Sequence, residues 1–326
     1  MRAVIRRTGY ALLALLAVGC SSDDGTGPTA DLFPALEQSW PDLGSTWPDF
    51  GSWPDLWAAP DGPQGSAASL FRVDVPGSAC KNSWSATTKN ASGTSCGAHL
   101  EELQLGVGAG PEPDHYGCRI GSDGSTVEAA LYEIGCDDKA KISLSCAGSC
   151  DGAGVTRGSV EVPGSLCSAT WQKTGSNIGS GKTCVAFIGE VKLGVGDGPE
   201  PAAFGCRYDA ASGEVEAFIH ELDCDDKAKI ALRCDWICSS DSAAQSGTFG
   251  LSGNQCKTGW QTVSSAPGAS CVTGITLMKL GVGSGPEPDR YGCRYDAATG
   301  ELQAELFELD CDDQGVAVEC AHLCLE

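Results

Sequence analysis

The chain has little of what most enzymes and nucleic-acid binders need. Its one sustained apolar run, Ala11 to Val18, falls far short of the roughly 20 residues a membrane-spanning helix requires. Apolar residues at helical spacing are absent. Basic residues are scarce, 21 Lys and Arg against 43 Asp and Glu, for a net charge of −22. Such a chain repels phosphate backbones, so nucleic acid is not an expected partner. Histidine is scarcer still: His99, His115, His220 and His322 are the only four, and none recurs at one aligned position in the repeats described below. That leaves nucleophilic and general-base catalysis without a recurrent constellation, and the chain reads as a non-enzyme. Aromatics make up 7 %; an acidic chain poor in aromatics can be disordered, but the cysteines argue against that here.

A pattern of six cysteines is written three times. Cys80, Cys96, Cys118, Cys136, Cys146 and Cys150 recur as Cys167, Cys184, Cys206, Cys224, Cys234 and Cys238, then as Cys256, Cys271, Cys293, Cys311, Cys320 and Cys324. In every copy 21 residues separate the second and third cysteines, 17 the third and fourth, and 3 the last two. Even numbers at fixed spacing read as a disulfide framework formed in an oxidising compartment, with fifteen pairings open for each set of six. Structural zinc and thiol redox chemistry are disfavoured by the same commitment, and the final pair lacks the two-residue spacing of thiol oxidoreductases.

One cysteine is left over. Arg2, Arg6 and Arg7 precede the short apolar run, and Leu16-Ala17-Val18-Gly19-Cys20 closes it, which is the layout of an export signal. This segment resembles the lipobox of bacterial lipoproteins, with Ala17 where the class usually has Leu. The resemblance covers about twenty residues and implies cleavage of residues 1–19, acyl chains (palmitate among them) on Cys20, and membrane attachment without a span. Acyl chains contribute roughly 0.8 kcal/mol per buried methylene. Ser21, not Asp, follows the cysteine, which in that class favours the outer membrane. The alternative is an ordinary secretory signal with Cys20 incidental.

Residues 20–68 read as a flexible Ser/Pro/Asp/Trp linker. The phrase Trp-Pro-Asp recurs at Trp40, Trp47 and Trp53, with Trp57 close behind, so docking on a partner or on the first module is the sharper alternative. Residues 69–150, 155–238 and 246–326 are the three modules. Within each, apolar residues alternate with polar ones: Phe71, Val73 and Val75; Leu103, Leu105 and Val107; Ala140, Ile142, Leu144 and Cys146. Period-two patterning describes half-buried strands. Asp209 to Gly213, Asp296 to Gly300 and Gly121 to Gly124 read as hairpin turns. The expected fold class is all-β: three tandem small disulfide-rich antiparallel modules of five or six strands, sandwich or barrel, after a disordered linker. A solenoid is the alternative for three copies at this period. Independent beads are preferred, because three disulfides, each typically ~2–4 kcal/mol, would make a unit of this size self-sufficient.

Comparing the copies picks out recurrent residues. Trp84, Trp171 and Trp260 lie four residues after the first cysteine of each copy and read first as core packing, second as a platform for sugars or a peptide, with Tyr116, Phe204 and Tyr291 nearby. Leu-Gly-Val-Gly-x-Gly-Pro-Glu-Pro occurs three times, but Pro-Glu-Pro blocks the helix that a phosphate-cradling loop needs. Gly179-Ser-Gly-Lys-Thr183 resembles a nucleotide loop only in part and is absent from the other copies. The recurrent acids Glu112, Asp137, Asp138, Glu200, Asp225, Asp226, Glu287, Asp312 and Asp313 could offer oxygens to Ca²⁺; otherwise the Asp pairs cap turns and one recurrent Glu pairs with the Arg of Gly-Cys-Arg. No cofactor beyond that Ca²⁺ is expected.

The functional expectation is a lipid-anchored cell-envelope protein presenting three binding or adhesion modules to a multivalent surface glycan or protein. A structural or protective envelope protein without a ligand, and a protease inhibitor, are the alternatives.

Overall fold

The computed structural model describes residues 69–326 apart from 94, 106–113, 134–135, 137–138, 151, 153, 194–201, 222–223, 225–226, 268, 281–288, 309–310, 312–314 and 326. The leader, Cys20 and the Trp-Pro-Asp linker lie outside the described residues, as do most of the recurrent Gly/Pro loops.

Each copy forms six strands. Copy 1 gives β1 (Ser69–Pro76), β2 (Lys81–Asn90), β3 (Cys96–Leu105), β4 (Asp114–Ile120), β5 (Thr126–Tyr132) and β6 (Ser143–Cys150). Copy 2 gives β7 (Val155–Pro163), β8 (Gln172–Asn177), β9 (Thr183–Leu193), β10 (Ala203–Asp209), β11 (Glu214–His220) and β12 (Ala231–Ser239). Copy 3 gives β13 (Gln245–Ser252), β14 (Lys257–Ser265), β15 (Ser270–Lys279), β16 (Asp289–Asp296), β17 (Glu301–Phe307) and β18 (Ala317–Leu325). The fold class is all-β and antiparallel, as the alternation implied. The hairpin turns are where the Gly residues placed them, with Gly124, Gly213 and Gly300 at φ of 75°, 72° and 71°. The last strand of copy 1 is shorter than its alternation suggested: residues 139–141 form a turn, and β6 begins at Ser143.

Within a copy the strands split into two half-sheets, β1-β6-β3 and β2-β5-β4, and the disulfides join them. Cys96 and Cys150 sit directly opposite on β3 and β6. Cys118 on β4 bridges to Cys146 on β6, tying one half-sheet to the other across the core. Cys80 closes onto Cys136, linking the approach to β2 with the turn after β5. Copies 2 and 3 repeat this pairing, so all nine bridges stay inside their own copy.

The copies are nevertheless not independent beads. The described residues form one compact unit, because no half-sheet ends where its copy ends. The three six-stranded sheets run β2-β5-β4-β9-β12-β7, β8-β11-β10-β15-β18-β13 and β14-β17-β16-β3-β6-β1. Copy 1 therefore pairs with copy 2 through β4 and β9, copy 2 with copy 3 through β10 and β15, and copy 3 back with copy 1 through β16 and β3. The joints are equivalent: Tyr116 faces Val191, Phe204 faces Met278, and Tyr291 faces Leu103, and all six side chains are buried. A head-to-tail contact that closes after three steps makes a ring, and here one chain supplies all three steps. The buried apolar residues of the three copies accordingly merge into one main core. Each of the strands β3, β9 and β15 also carries a bulge at one aligned position, Glu101, Gly189 and Thr276.

Deleting copy 3 should leave β3 and β10 as unpaired central edges, which are templates for association. A chain ending at residue 240 is expected to self-associate in size-exclusion chromatography and to lose amide protection on β3 despite intact disulfides. A well-behaved, fully protected two-copy monomer would contradict the ring.

Candidate functional site

The three recurrent tryptophans sit at the same place in each sheet. Tyr116, Phe204 and Tyr291 face the core, so their neighbours Gly117, Gly205 and Gly292 face outward. A Cβ on each of those glycines would meet the ring of Trp84, Trp171 or Trp260 at 2.9, 2.9 and 2.6 Å. The Gly of Gly-Cys-Arg is thus the floor on which the indole rests. The Arg of the same motif lies over the ring: Arg119, Arg207 and Arg294 place Cζ at 4.1, 4.4 and 4.2 Å from the respective ring centroids. Its partner is the residue across the hairpin, not a recurrent glutamate. Arg119 Nε donates to Glu128 at 2.7 Å, Arg207 Nε to Glu216 at 2.8 Å, and Arg294 Nε to Gln303 at 2.8 Å. A cation–π contact at such a half-exposed site contributes about 0.5–2 kcal/mol. The tryptophans are half-buried, and the guanidinium occupies ring surface that a sugar would need. The aromatics expected to extend the platform, Tyr116, Phe204 and Tyr291, are buried on the opposite face of the sheet.

All nine acids considered for Ca²⁺, Glu112, Asp137, Asp138, Glu200, Asp225, Asp226, Glu287, Asp312 and Asp313, lie outside the described residues. The recurrent acid that is described, Glu133 with Glu221 and Glu308, is buried at the end of β5 and its equivalents. The next turn puts Cys136, Cys224 and Cys311 in left-handed backbone, with φ of 50–52°. Cys167, His220 and Cys224 approach one another closely enough to suggest a metal, but both sulfurs are committed to one disulfide.

The histidines, non-recurrent as expected, do different jobs. His99, Phe187 and Gly274 are the aligned residues of β3, β9 and β15, and they meet. The His99 ring stacks on Phe187 with centroids 4.1 Å apart, and a Cβ on Gly274 would strike both rings. Three large side chains do not fit there, so the third copy supplies none. His99 Nε2 donates to the Thr273 carbonyl at 2.8 Å, which fixes the proton on that nitrogen because a carbonyl can only accept. Burial, the larger effect, holds the His99 pKa down at about 4 against the Thr273 bond. His115 Nε2 meets Glu190 at 2.6 Å on the outer face of the β4–β9 joint.

Comparing the copies by sequence gives no sign of a polar cleft of about 410 Å³ between copies 1 and 2. Arg233 and Asp235 flank Cys234 on β12 and pair at 3.1 Å. Arg233 also donates to the Cys118 carbonyl of copy 1 and lies 3.5 Å from Glu190. Burial raises the Asp235 carboxyl to about 6, against the pull of Arg233. Burial first, and then the neighbouring Glu190, raises Glu161 as well. Arg157 donates to the Ser149 hydroxyl at 2.9 Å and the Ser95 carbonyl at 3.3 Å. Arg157, Arg233 and Asp235 have no like residue at the aligned positions of the other copies, which is why repetition gave them no weight. The available signal was charge on both sides of Cys234, where copy 1 has Ser145 and Ala147.

The chain matches no family model and no curated protein.

His99 gives a testable pH dependence. Its folded pKa lies below its ordinary 6.5, so its stabilising effect is complete above pH 6.5 and is lost as pH falls toward 4. Two and a half pKa units correspond to about 3 kcal/mol. His99→Phe should cost about 1–3 kcal/mol at neutral pH, since the Thr273 carbonyl loses its donor, and the gap to the parent should narrow as pH falls. Denaturant titrations at several pH values measure this; a gap independent of pH would refute it.

Proposed function

We propose that the protein is a lipid-anchored envelope protein that binds a target bearing repeated groups, a surface glycan or protein, through the three outward Trp-Arg corners. The observation that carries this reading is the threefold recurrence, on one ring-closed frame, of an indole seated on glycine and covered by arginine. A frame shared by all three corners fixes their spacing. A target that matches the spacing then gains affinity through effective concentration, by ~10²–10⁴ over a single corner. The leader's resemblance supports attachment through acyl chains on Cys20, in the outer membrane. A purely structural or protective role is favoured by one feature, the arginine already lying on each indole: a ligand must displace it or bind beside it.

Trp84→Leu, Trp171→Leu and Trp260→Leu, alone and combined, separate the two. Retention on arrays of immobilised glycans and envelope proteins should fall stepwise, about tenfold or more for the triple variant, with melting temperature monitored in parallel. Undiminished retention by a folded triple variant would leave the structural role standing.

The anchor has its own test. Cys20→Ser should move the protein from the membrane to the soluble fraction and abolish incorporation of labelled palmitate. Unchanged fractionation would sink the lipid anchor without touching the corners.

A further inference from the structure

The copy 1–copy 2 cleft has a geometric twin between copies 2 and 3, of about 360 Å³, and the two differ in chemistry. Superposing the strand registers, Arg157 of the first cleft corresponds to Ser246 of the second, Ser159 to Thr248, and Asp235 to Ala321. The frame therefore closes with Ser and Ala at these positions and does not require Arg157 or Asp235, although Arg119 keeps a counterpart in Arg207 and Arg233 gives way to Glu319. Burying a charged pair stabilises little when apolar or small residues can replace it. The third joint places its charges differently, on Arg72 and Glu101, so Arg157 and Asp235 call for an explanation other than closure of the frame.

We propose that the copy 1–copy 2 cleft is a binding site for one neutral, hydroxyl-rich ligand, a mono- or disaccharide. Its size lies within the ~300–1,000 Å³ range of small-molecule sites. Every cation facing it has a partner: Arg233 has Asp235 and the Cys118 carbonyl, Arg119 has Glu128, and Arg157 has Ser149. Arg157 donates to neutral groups, but Glu128, Asp235 and Glu161 set three carboxylates beside the three arginines of the cleft, which leaves no net positive charge for an anion. What the cleft offers is donors and acceptors side by side, Arg157 and Ser159 next to Asp235 and Glu161, with the partly exposed indole of Trp236 as an aromatic wall. A hydroxyl is donor and acceptor at once, so vicinal hydroxyls can join such an array without disturbing its charge balance, while the C–H face of a sugar ring packs on the Trp236 indole. The site is single because neither other joint repeats the Arg157/Asp235 array: the second has Ser246 and Ala321, the third Leu70 and Ala147. It adjoins the Trp84 corner, whose Arg119 lines it, and number tells the two apart: the corners predict three sites, the cleft one.

Isothermal titration of the full exported protein tests this with glucose, galactose, mannose, N-acetylglucosamine, cellobiose and chitobiose. Inorganic phosphate, acetate and alanine serve as anionic and zwitterionic arms. One saturable saccharide site per chain is expected, weakened about tenfold or more by Asp235→Ala and by Arg157→Ser, both of which install the copy 3 residue. Arg157 lies at the rim, so that variant carries the test if Asp235→Ala does not fold. Three saccharide sites, or one site indifferent to both substitutions, would overturn the cleft while leaving the corners in place. Saturation by phosphate, acetate or alanine alone would overturn the ligand class, and binding of no probe would overturn the site.

Discussion

The backbone hydrogen bonds of β4, β10 and β16 determine how everything else must sit. Each of these strands has a partner from its own copy on one side only, β5, β11 or β17. The other side would be an open edge, with a row of unpaired amides and carbonyls. That side is satisfied by β9, β15 and β3, each in a different copy. Once the first two joints form, the third is set by geometry, because among the described strands β16 and β3 are the edges of this kind left. The Tyr-Val, Phe-Met and Tyr-Leu pairs then bury apolar area at the same three joints, so hydrogen bonding and core formation favour the same closure.

Ring closure also explains where the repeats are allowed to differ. At Gly117, Gly205 and Gly292 all three copies must supply the same residue, since each carries an indole. Where β3, β9 and β15 converge, the reverse holds: three identical side chains would compete for one space, and His99, Phe187 and Gly274 divide it unequally. The bulge position behaves similarly. Gly189 leaves room that Arg233 and Asp235 enter from β12, Thr276 donates to the Cys206 carbonyl, and Glu101 is paired with Arg72 at 2.9 Å, its carboxyl raised to about 7 chiefly by burial. Repetition builds the frame, and chemical individuality collects where copies touch.

Those facts bear on what could be read without coordinates. Strand content, the hairpin turns and the membership of the disulfide framework were legible, because alternation and cysteine spacing are local. The partner of an edge strand is not local. Alternation in Leu103 and Leu105 reports that one face is buried, yet says nothing about whether the neighbouring strand belongs to the same copy, and so the copies read as separate beads. Recurrence likewise exposed Trp84 and Gly-Cys-Arg but could not show that one rests on the other. It concealed Arg157, Arg233 and Asp235 altogether, since a residue present in one copy looks like drift until the joint around it is seen.

The division of labour between covalent and non-covalent closure follows. A disulfide such as Cys118–Cys146 holds the two half-sheets of one copy face to face, which presets the distance between β3 and β4. Those are the strands that must reach the two different neighbours, so each copy arrives at assembly with both docking edges already fixed. Loop-closure entropy has then been removed for contacts inside a copy, and what remains is the joining of three prepared units whose order the chain dictates. The sulfur bridges stabilise the parts and the sheets stabilise the whole. That is why a copy can own all of its disulfides and still not be a domain by itself.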